Sequence, residues 1–192
     1  GNIVVNWRIN QAESRARYLA KYDALEVEQY ESWIRQLTKD DELACLRDIQ
    51  CTFSFRDKMS VLDVGAGTGA MCQVLSHVPG VTITALEPAP AMLAKLSAKP
   101  ELREVRIHEG FCDSESDRAH FAAESFDLVV SRQLVNGLYD PMNAFKNWQY
   151  WLKPGCSVIV IDGLYDRTAW TGKWEEEIDA LPLSACRSTA LT

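Results

Sequence analysis

The chain has 192 residues, of which 47% are hydrophobic and 24% charged, with a net charge of −7 at pH 7. This length and composition predict one globular domain with a sizeable core, and the negative charge argues against nucleic acid or an anionic membrane surface as a partner. No apolar run reaches the ~18 residues that a membrane-spanning helix needs. The first ten residues lack the pattern of a signal peptide, so we expect none.

The six cysteines are scattered along the chain, without a CxxC pair or a cluster with histidine. This spacing does not match the usual zinc motifs, so we expect no metal site. Reduced thiols in a cytoplasmic protein are the simplest interpretation of unclustered cysteines. We therefore expect a cytoplasmic protein.

Residues 12–49 are rich in charged residues and helix formers and predict two or three helices. From Met59 onward, apolar strand-like runs alternate with helical patterns. The predicted strands are "SVLDV", "VTITALE", "EVRIHEG", "FDLVVS" and "SVIVID". Strands at this spacing predict an α/β fold with a doubly wound, mainly parallel sheet. Ligands of such sheets bind at the carboxyl ends of the strands.

The helix predicted over "DPMNAFKNWQYWLKPG" has the clearest end signals in the chain. Asp140 can cap its first turn, and Pro154 and Gly155 are expected to end it. Its apolar residues Phe145, Trp148 and Leu152 are predicted to share one face.

The loop after the first strand reads "GAGTGA" and fits G-x-G-x-x-A, the pattern of dinucleotide-binding loops. Glu87 follows at about the distance at which an acidic residue holds a ribose. The motif alone therefore leaves NAD open as a ligand. Asp63, two residues before the first glycine, would repel a pyrophosphate and attract an ammonium group.

Five segments in order resemble the class I S-adenosylmethionine-dependent methyltransferases, from about Met59 to Gly163. They are "VLDVGAGTG", "ALEPAPAML", "EGFCDSE", "SFDLVVSRQLVNGLYDP" and "WLKPGCSVIVIDG". The resemblance implies a Rossmann-like fold and S-adenosylmethionine as cofactor. It also implies that residues 59–163 form the cofactor-binding core, that residues 1–58 form a helical lid, and that residues 164–192 form a C-terminal flap.

The resemblance further implies a role for each matching residue. Asp63 would face the cofactor's ammonium group, Glu87 its ribose hydroxyls and Asp113 its adenine amine, with Met92 and Phe111 flanking the adenine. The residues expected to bind cofactor are Asp63, Gly65, Ala66, Gly67, Thr68, Gly69, Glu87, Pro88, Met92, Phe111, Cys112, Asp113, Ser131, Arg132 and Gln133. Packing inside the core is the alternative role for Met92, and helix capping is the alternative for Asp113.

No catalytic residue is assigned from the sequence. A general base is needed only if the methyl acceptor must lose a proton, and Asn136 stands where many relatives carry a histidine. We expect a small-molecule acceptor, with no nucleic acid or membrane as partner. The residues predicted to contact it are Tyr18, Tyr22, Asn136 and Trp170, and packing between helices is the alternative role for the two tyrosines.

Two features depart from the family pattern. Cys156 follows Gly155 where the family usually has a second glycine, so we expect a strained or altered turn there. The last two strands of the family's sheet are not recognisable in residues 163–192, which leaves the apolar fifth strand at an edge. A truncated chain, an unusual C-terminal segment and a homodimer through this edge are the alternatives. An inactive S-adenosylmethionine-binding relative and an NAD-dependent oxidoreductase remain as alternative functions.

Overall fold

A computed structural model describes residues 10–162 of the chain. Five parallel strands form one sheet in the order β3-β2-β1-β4-β5. The strands are β1 (Ser60–Val64), β2 (Thr82–Glu87), β3 (Arg106–Glu109), β4 (Phe126–Arg132) and β5 (Leu152–Ile161). The order reverses between β2-β1 and β4, so the sheet is doubly wound as predicted.

Six α-helices accompany the sheet. They are α1 (Gln11–Lys21), α2 (Ala24–Ile34), α3 (Lys39–Gln50), α4 (Ala70–Ser76), α5 (Pro90–Ser97) and α6 (Pro141–Trp151). The start of α3 is fixed by a capping box between Thr38 and Asp41, and the Asp140 side chain accepts from the Asn143 N–H at the start of α6, as predicted. None of the helices in residues 10–162 is long and apolar enough to cross a membrane.

Helices cover both faces of the sheet, which is why the central strands are apolar on both sides. On one face, Leu46 of α3 and Leu75 of α4 pack with Val61 and Leu128 of the sheet. On the other face, the two tryptophans of α6 pack against the opposite side chains of β1 and β4: Trp148 and Trp151 with Leu62, Val64 and Val129. The resulting core holds the carboxyl ends of the strands at one edge.

The predicted boundary between α6 and β5 is wrong. The helix ends at Trp151, and β5 begins at Leu152, so Leu152, Pro154 and Gly155 belong to the strand rather than to the helix. The register against β4 shifts between Phe126 and Leu128, which accommodates the Pro-Gly pair as an irregularity of the strand.

The altered backbone that we expected at this position is found at Gly155, which has a positive φ of 74°. Cys156 packs against the cluster of the α6 tryptophans instead of crowding a turn. Within residues 10–162, β5 pairs with β4 alone. The predicted C-terminal flap with Trp170 lies outside the described residues.

Candidate functional site

The glycine loop joins β1 to α4, and its three glycines take positive φ angles: Gly65, Gly67 and Gly69. The Gly65 N–H donates to the Leu86 carbonyl at 2.8 Å, which ties the loop to the end of β2. A Cβ atom at Gly65 would lie 2.9 Å from the Leu134 side chain, whereas one at Gly67 would meet only Tyr30, at 3.9 Å. The middle of the loop therefore leaves space for a ligand to approach the backbone.

Glu87 ends β2 with its carboxylate facing this loop, and only 1% of the residue is exposed. The carboxylate accepts from the Gly67 N–H at 3.0 Å, the Ala89 N–H at 2.9 Å and the Tyr18 hydroxyl at 3.0 Å. Burial raises the pKa of Glu87 above its usual range, and these three bonds oppose that rise. Two backbone donors thus orient a buried carboxylate at the carboxyl edge of the sheet.

The segment after β3 brings a second buried carboxylate to the same edge. Asp113 is 4% exposed and accepts from the backbone N–H groups of Tyr139, at 3.0 Å, and Asp140, at 3.3 Å. The Cys112 carbonyl accepts from the Asn147 amide of α6 at 3.0 Å, and this bond ties the segment to α6. These bonds hold Cys112 and Asp113 in place although neither lies in a helix or a strand.

Asp63, at the carboxyl end of β1, is a third buried carboxylate. It accepts from the Cys72 thiol of α4 at 3.1 Å. Burial raises the pKa of Asp63 to about 7, the nearby Glu87 charge adds to the rise, and the Cys72 bond and Arg132 oppose it. Asp63 thus retains its proton near neutral pH unless a positive charge comes close, and the sequence predicts a cationic ligand at this position.

Two buried hydroxyl groups near the carboxyl ends of the strands lack a hydrogen-bond partner among residues 10–162. They are the side chains of Thr68, in the glycine loop, and Ser131, in β4. The Thr68 carbonyl accepts from the Lys99 ammonium at 2.8 Å, and Lys99 also pairs with the buried Glu31 of α2 at 3.0 Å. Buried polar atoms without a partner are rare, and they are available to a ligand.

A cleft opens at this edge and is lined by six of the residues predicted to bind cofactor or acceptor: Tyr18, Gly65, Pro88, Phe111, Cys112 and Asp113. The segment after β4 closes its far side with Leu134 and Leu138. The structure thus brings together the glycine loop, the end of β2 and the segment after β3, as the order of the motifs predicts.

Other predicted residues lie elsewhere. Met92 and Tyr22 pack with Val27 and Ala89 between α5 and the N-terminal helices rather than along the cleft. Arg132 is half-buried at the end of β4, Gln133 has a φ of 55°, and Asn136 is exposed in a short 3-10 turn. Ala66 and Gly69 are buried within the loop, and Trp170 is outside the described residues. Their roles towards ligands stay predictions.

Sequence reasoning missed two polar residues of α1 that reach the site, Gln11 and Arg15. The Gln11 amide donates to the Asp113 carbonyl at 3.0 Å, and the Arg15 guanidinium pairs with the Asp113 carboxylate at 3.1 Å. Gln11, Arg15 and Tyr18 are spaced four and three residues apart, which places them on one helix face. That spacing is readable from the sequence, but polar residues at helical spacing usually mark a solvent-exposed face.

The buried carboxyl group of Asp63 makes the stability of the protein depend on pH. Since the folded pKa of about 7 lies above the unfolded value of about 3.9, the folded state holds a proton that the unfolded state releases between these limits. We expect the free energy of unfolding to fall with rising pH in this window, by up to about 1.4 kcal/mol per pH unit from this group.

Denaturant titrations of the wild type and Asp63→Asn between pH 5 and 8 measure this contribution. The difference in unfolding free energy between the two proteins should change steadily from pH 5 to 7 and level off above. Parallel curves for the two proteins across the whole range would contradict the raised pKa.

Comparison with known proteins agrees with this geometry. A family model described as "Methyltransferase domain" matches residues 62–160, just over half of the chain. A demethylmenaquinone methyltransferase of Chlorobaculum parvum is 30% identical over 107 residues, which are 56% of this chain and 42% of that protein. A trans-aconitate 2-methyltransferase of Deinococcus radiodurans is 33% identical over 119 residues, covering 61% and 43%. The chain thus spans less than half the length of these curated relatives.

Among solved structures, an S-adenosylmethionine-dependent methyltransferase from Aquifex aeolicus has the same fold. The TM-score is 0.60 at 18% identity, and the match covers 81% of each chain. The resemblance inferred from the five sequence segments is confirmed by the family match, and S-adenosylmethionine is the cofactor of this family. The chain belongs to the methyltransferase domain family, within the class I S-adenosylmethionine-dependent methyltransferases.

Proposed function

We propose that this protein transfers a methyl group from S-adenosylmethionine to a small-molecule acceptor. The observation that carries the proposal is the Glu87 carboxylate, which two backbone N–H groups orient at the end of β2. A carboxylate has two acceptor oxygens and matches the two hydroxyl groups of a ribose. A pyrophosphate, by contrast, would meet three buried carboxylates at this edge, which disfavours NAD.

The residues of the site fit the parts of this cofactor. Glu87 would hold the ribose, Phe111 and Asp113 would hold the adenine, and the glycine loop would lie along the amino-acid end. The buried hydroxyl groups of Thr68 and Ser131 are free to bond that polar end. Asp63 would face the ammonium group once it has lost the proton that its raised pKa retains near neutral pH.

When bound, this cofactor supplies a methyl group on a sulfonium, which is already activated for in-line displacement. The protein then contributes mainly proximity, alignment and the exclusion of water. Leu134 and Leu138 form an apolar wall of the cleft. Gln133, Asn136 and Tyr139, which are exposed after β4, would orient an acceptor. No residue is assigned as a general base, because a base is needed only for an acceptor that must lose a proton.

The acceptor is proposed at the level of a small molecule because the named relatives act on chemically different compounds. The cytoplasm is the proposed compartment, consistent with the five free cysteines among residues 10–162. We also propose a homodimer through the edge of β5 that no strand of residues 10–162 covers, since that strand is apolar and an unpaired edge invites pairing. A molar mass of one chain, measured by light scattering, would rule out the proposed homodimer.

Calorimetric titration with S-adenosylmethionine, S-adenosylhomocysteine and NAD tests the proposed cofactor. We expect micromolar binding of the first two compounds and no heat from NAD. Binding of NAD alone would favour the oxidoreductase alternative. Binding of the two sulfur compounds without methylation of any acceptor would favour an inactive relative.

A further inference from the structure

Helix α1 directs three polar side chains from one face towards the candidate site, and two of them, Arg15 and Tyr18, line the cleft. Gln11, Arg15 and Tyr18 bond groups that lie about 70 to 100 residues away in sequence. Their partners, Asp113 and Glu87, are residues that the proposed function assigns to cofactor binding. The helix that would cover a bound cofactor therefore already uses the polar groups of the cofactor site.

The Tyr18 hydroxyl takes the position on Glu87 that a ribose hydroxyl would need. It donates to the carboxylate at 3.0 Å, and the other two donors on that carboxylate are backbone N–H groups, of Gly67 in the glycine loop and of Ala89 before α5. Burial and the Glu87 charge raise the pKa of Tyr18, so the hydroxyl stays a donor at neutral pH. One of the three bonds on Glu87 is thus exchangeable, and two are fixed.

Arg15 occupies the adenine end of the cleft in a comparable way. Its guanidinium lies 4.4 Å from the centre of the Phe111 ring and bonds the carboxylates of Asp113 and Asp117. A guanidinium is flat and donates N–H bonds in its plane. An aminopurine ring shares these properties, so both groups would need the same aromatic surface and the same carboxylate.

The free space left in the cleft is about 60 Å³. Ligand pockets usually measure about 300–1,000 Å³, so these side chains occupy space that a bound nucleoside would need. No residue of α1 is fully buried, and its inner side chains, Gln11, Arg15 and Tyr18, are half-buried. A helix that is held mainly by such polar and aromatic contacts opens more easily than a core helix.

We propose that α1 is an internal competitor of the cofactor: Tyr18 and Arg15 hold the ribose and adenine positions, and S-adenosylmethionine binds only after α1 has released them. This inference rests on the proposed function. The apparent affinity is then the intrinsic affinity reduced by the fraction of molecules in which α1 is released. Weakening the contacts of α1 must therefore tighten cofactor binding.

The test combines calorimetry with hydrogen exchange of the amides in α1. Arg15→Met keeps the apolar stem of the side chain and removes the guanidinium. Tyr18→Phe removes one hydroxyl and leaves Glu87 its two backbone donors. Arg17→Met is the matched control, because Arg17 lies in the same helix and its one ion-pair partner within residues 10–162 is the exposed Glu13. Thermal unfolding checks that all variants are folded.

We expect the amides of α1 to exchange faster in Arg15→Met and Tyr18→Phe than in the wild type and Arg17→Met. Both variants should bind S-adenosylmethionine at least about five-fold more tightly, and adding cofactor to the wild type should speed exchange in α1. If the variants bind more weakly, or if cofactor slows exchange in α1, then α1 is a closing lid. That result would overturn the proposal that α1 competes with the cofactor, while the proposed function would stand. If no protein binds the cofactor although α1 is released in the variants, the proposed function fails as well.

Discussion

Replacing Glu87 with glutamine is expected to weaken S-adenosylmethionine binding by about thirty- to a hundred-fold. The Glu87 carboxylate receives the Gly67 N–H on one oxygen and the Ala89 N–H on the other. A glutamine amide has a single acceptor atom, so in either orientation its NH₂ group faces one of these donors. The ribose therefore loses one of its two charged acceptors, a bond of about 1.5–3 kcal/mol, which corresponds to the expected loss of affinity. The backbone donor that is left without an acceptor lowers the stability of the fold in the free and bound protein alike.

Glu109→Gln is the matched control for this prediction. Glu109 ends the neighbouring strand in register with Glu87 and makes the same change of charge, but its side chain is exposed. Calorimetric titration of the three proteins should give an unchanged Kd for Glu109→Gln. A Kd for Glu87→Gln within three-fold of the wild type would remove Glu87 from the cofactor site.

Replacing Gly69 with alanine is expected to destabilise the fold by about 2–5 kcal/mol. Gly69 has a φ of 95°, and an added Cβ would lie 2.7 Å from the Leu102 side chain and 3.0 Å from Leu96. A left-handed backbone at a residue with a Cβ costs about 1–2 kcal/mol. Crowding in a packed core adds about 1–3 kcal/mol, since both leucines are buried and have little room to move.

Two other glycines separate these contributions. Gly155 also has a positive φ, but no atom of residues 10–162 lies within 4 Å of its would-be Cβ, so Gly155→Ala measures the backbone cost alone. Gly137 has neither a positive φ nor a close neighbour in the same part of the chain, so Gly137→Ala should be neutral or slightly stabilising. Urea titrations that rank the losses as Gly69, then Gly155, then Gly137 support the argument. Equal losses for Gly69→Ala and Gly155→Ala would show that Leu96 and Leu102 yield to the new methyl group.

Much of the sheet was predictable because its signals are local. The strands β1, β2 and β4 are apolar runs, and each has a charged residue at or next to its end: Asp63, Glu87 and Arg132. The helical patterns between the strands then predict that they pair in parallel. The boundary at Leu152 was missed because a Pro-Gly pair normally ends a helix. Here the pairing of β5 with β4 extends over that pair and overrides the local preference.

The candidate site likewise has parts that the sequence predicts and parts that it does not. The glycine loop and Glu87 lie within one strand-helix-strand unit, so their proximity follows from the motif. The contacts of Arg15 join residues 98 positions apart, and only the packing of α1 against the segment after β3 brings them together. A sequence pattern contains no information on such a contact unless the path of the chain is already known.

Lys99 pairs with Glu31 of α2 and donates to the Thr68 carbonyl of the glycine loop, so it links α2 to this loop. The buried Glu31 is thus bonded to the residue that also holds the glycine loop, whereas α1 has no fully buried residue and reaches buried carboxylates through Arg15 and Tyr18. Tyr22 is the C-cap of α1, and Asp23 caps the start of α2. If α1 is released as proposed, the two N-terminal helices would separate at these two residues, and α2 would stay with the glycine loop.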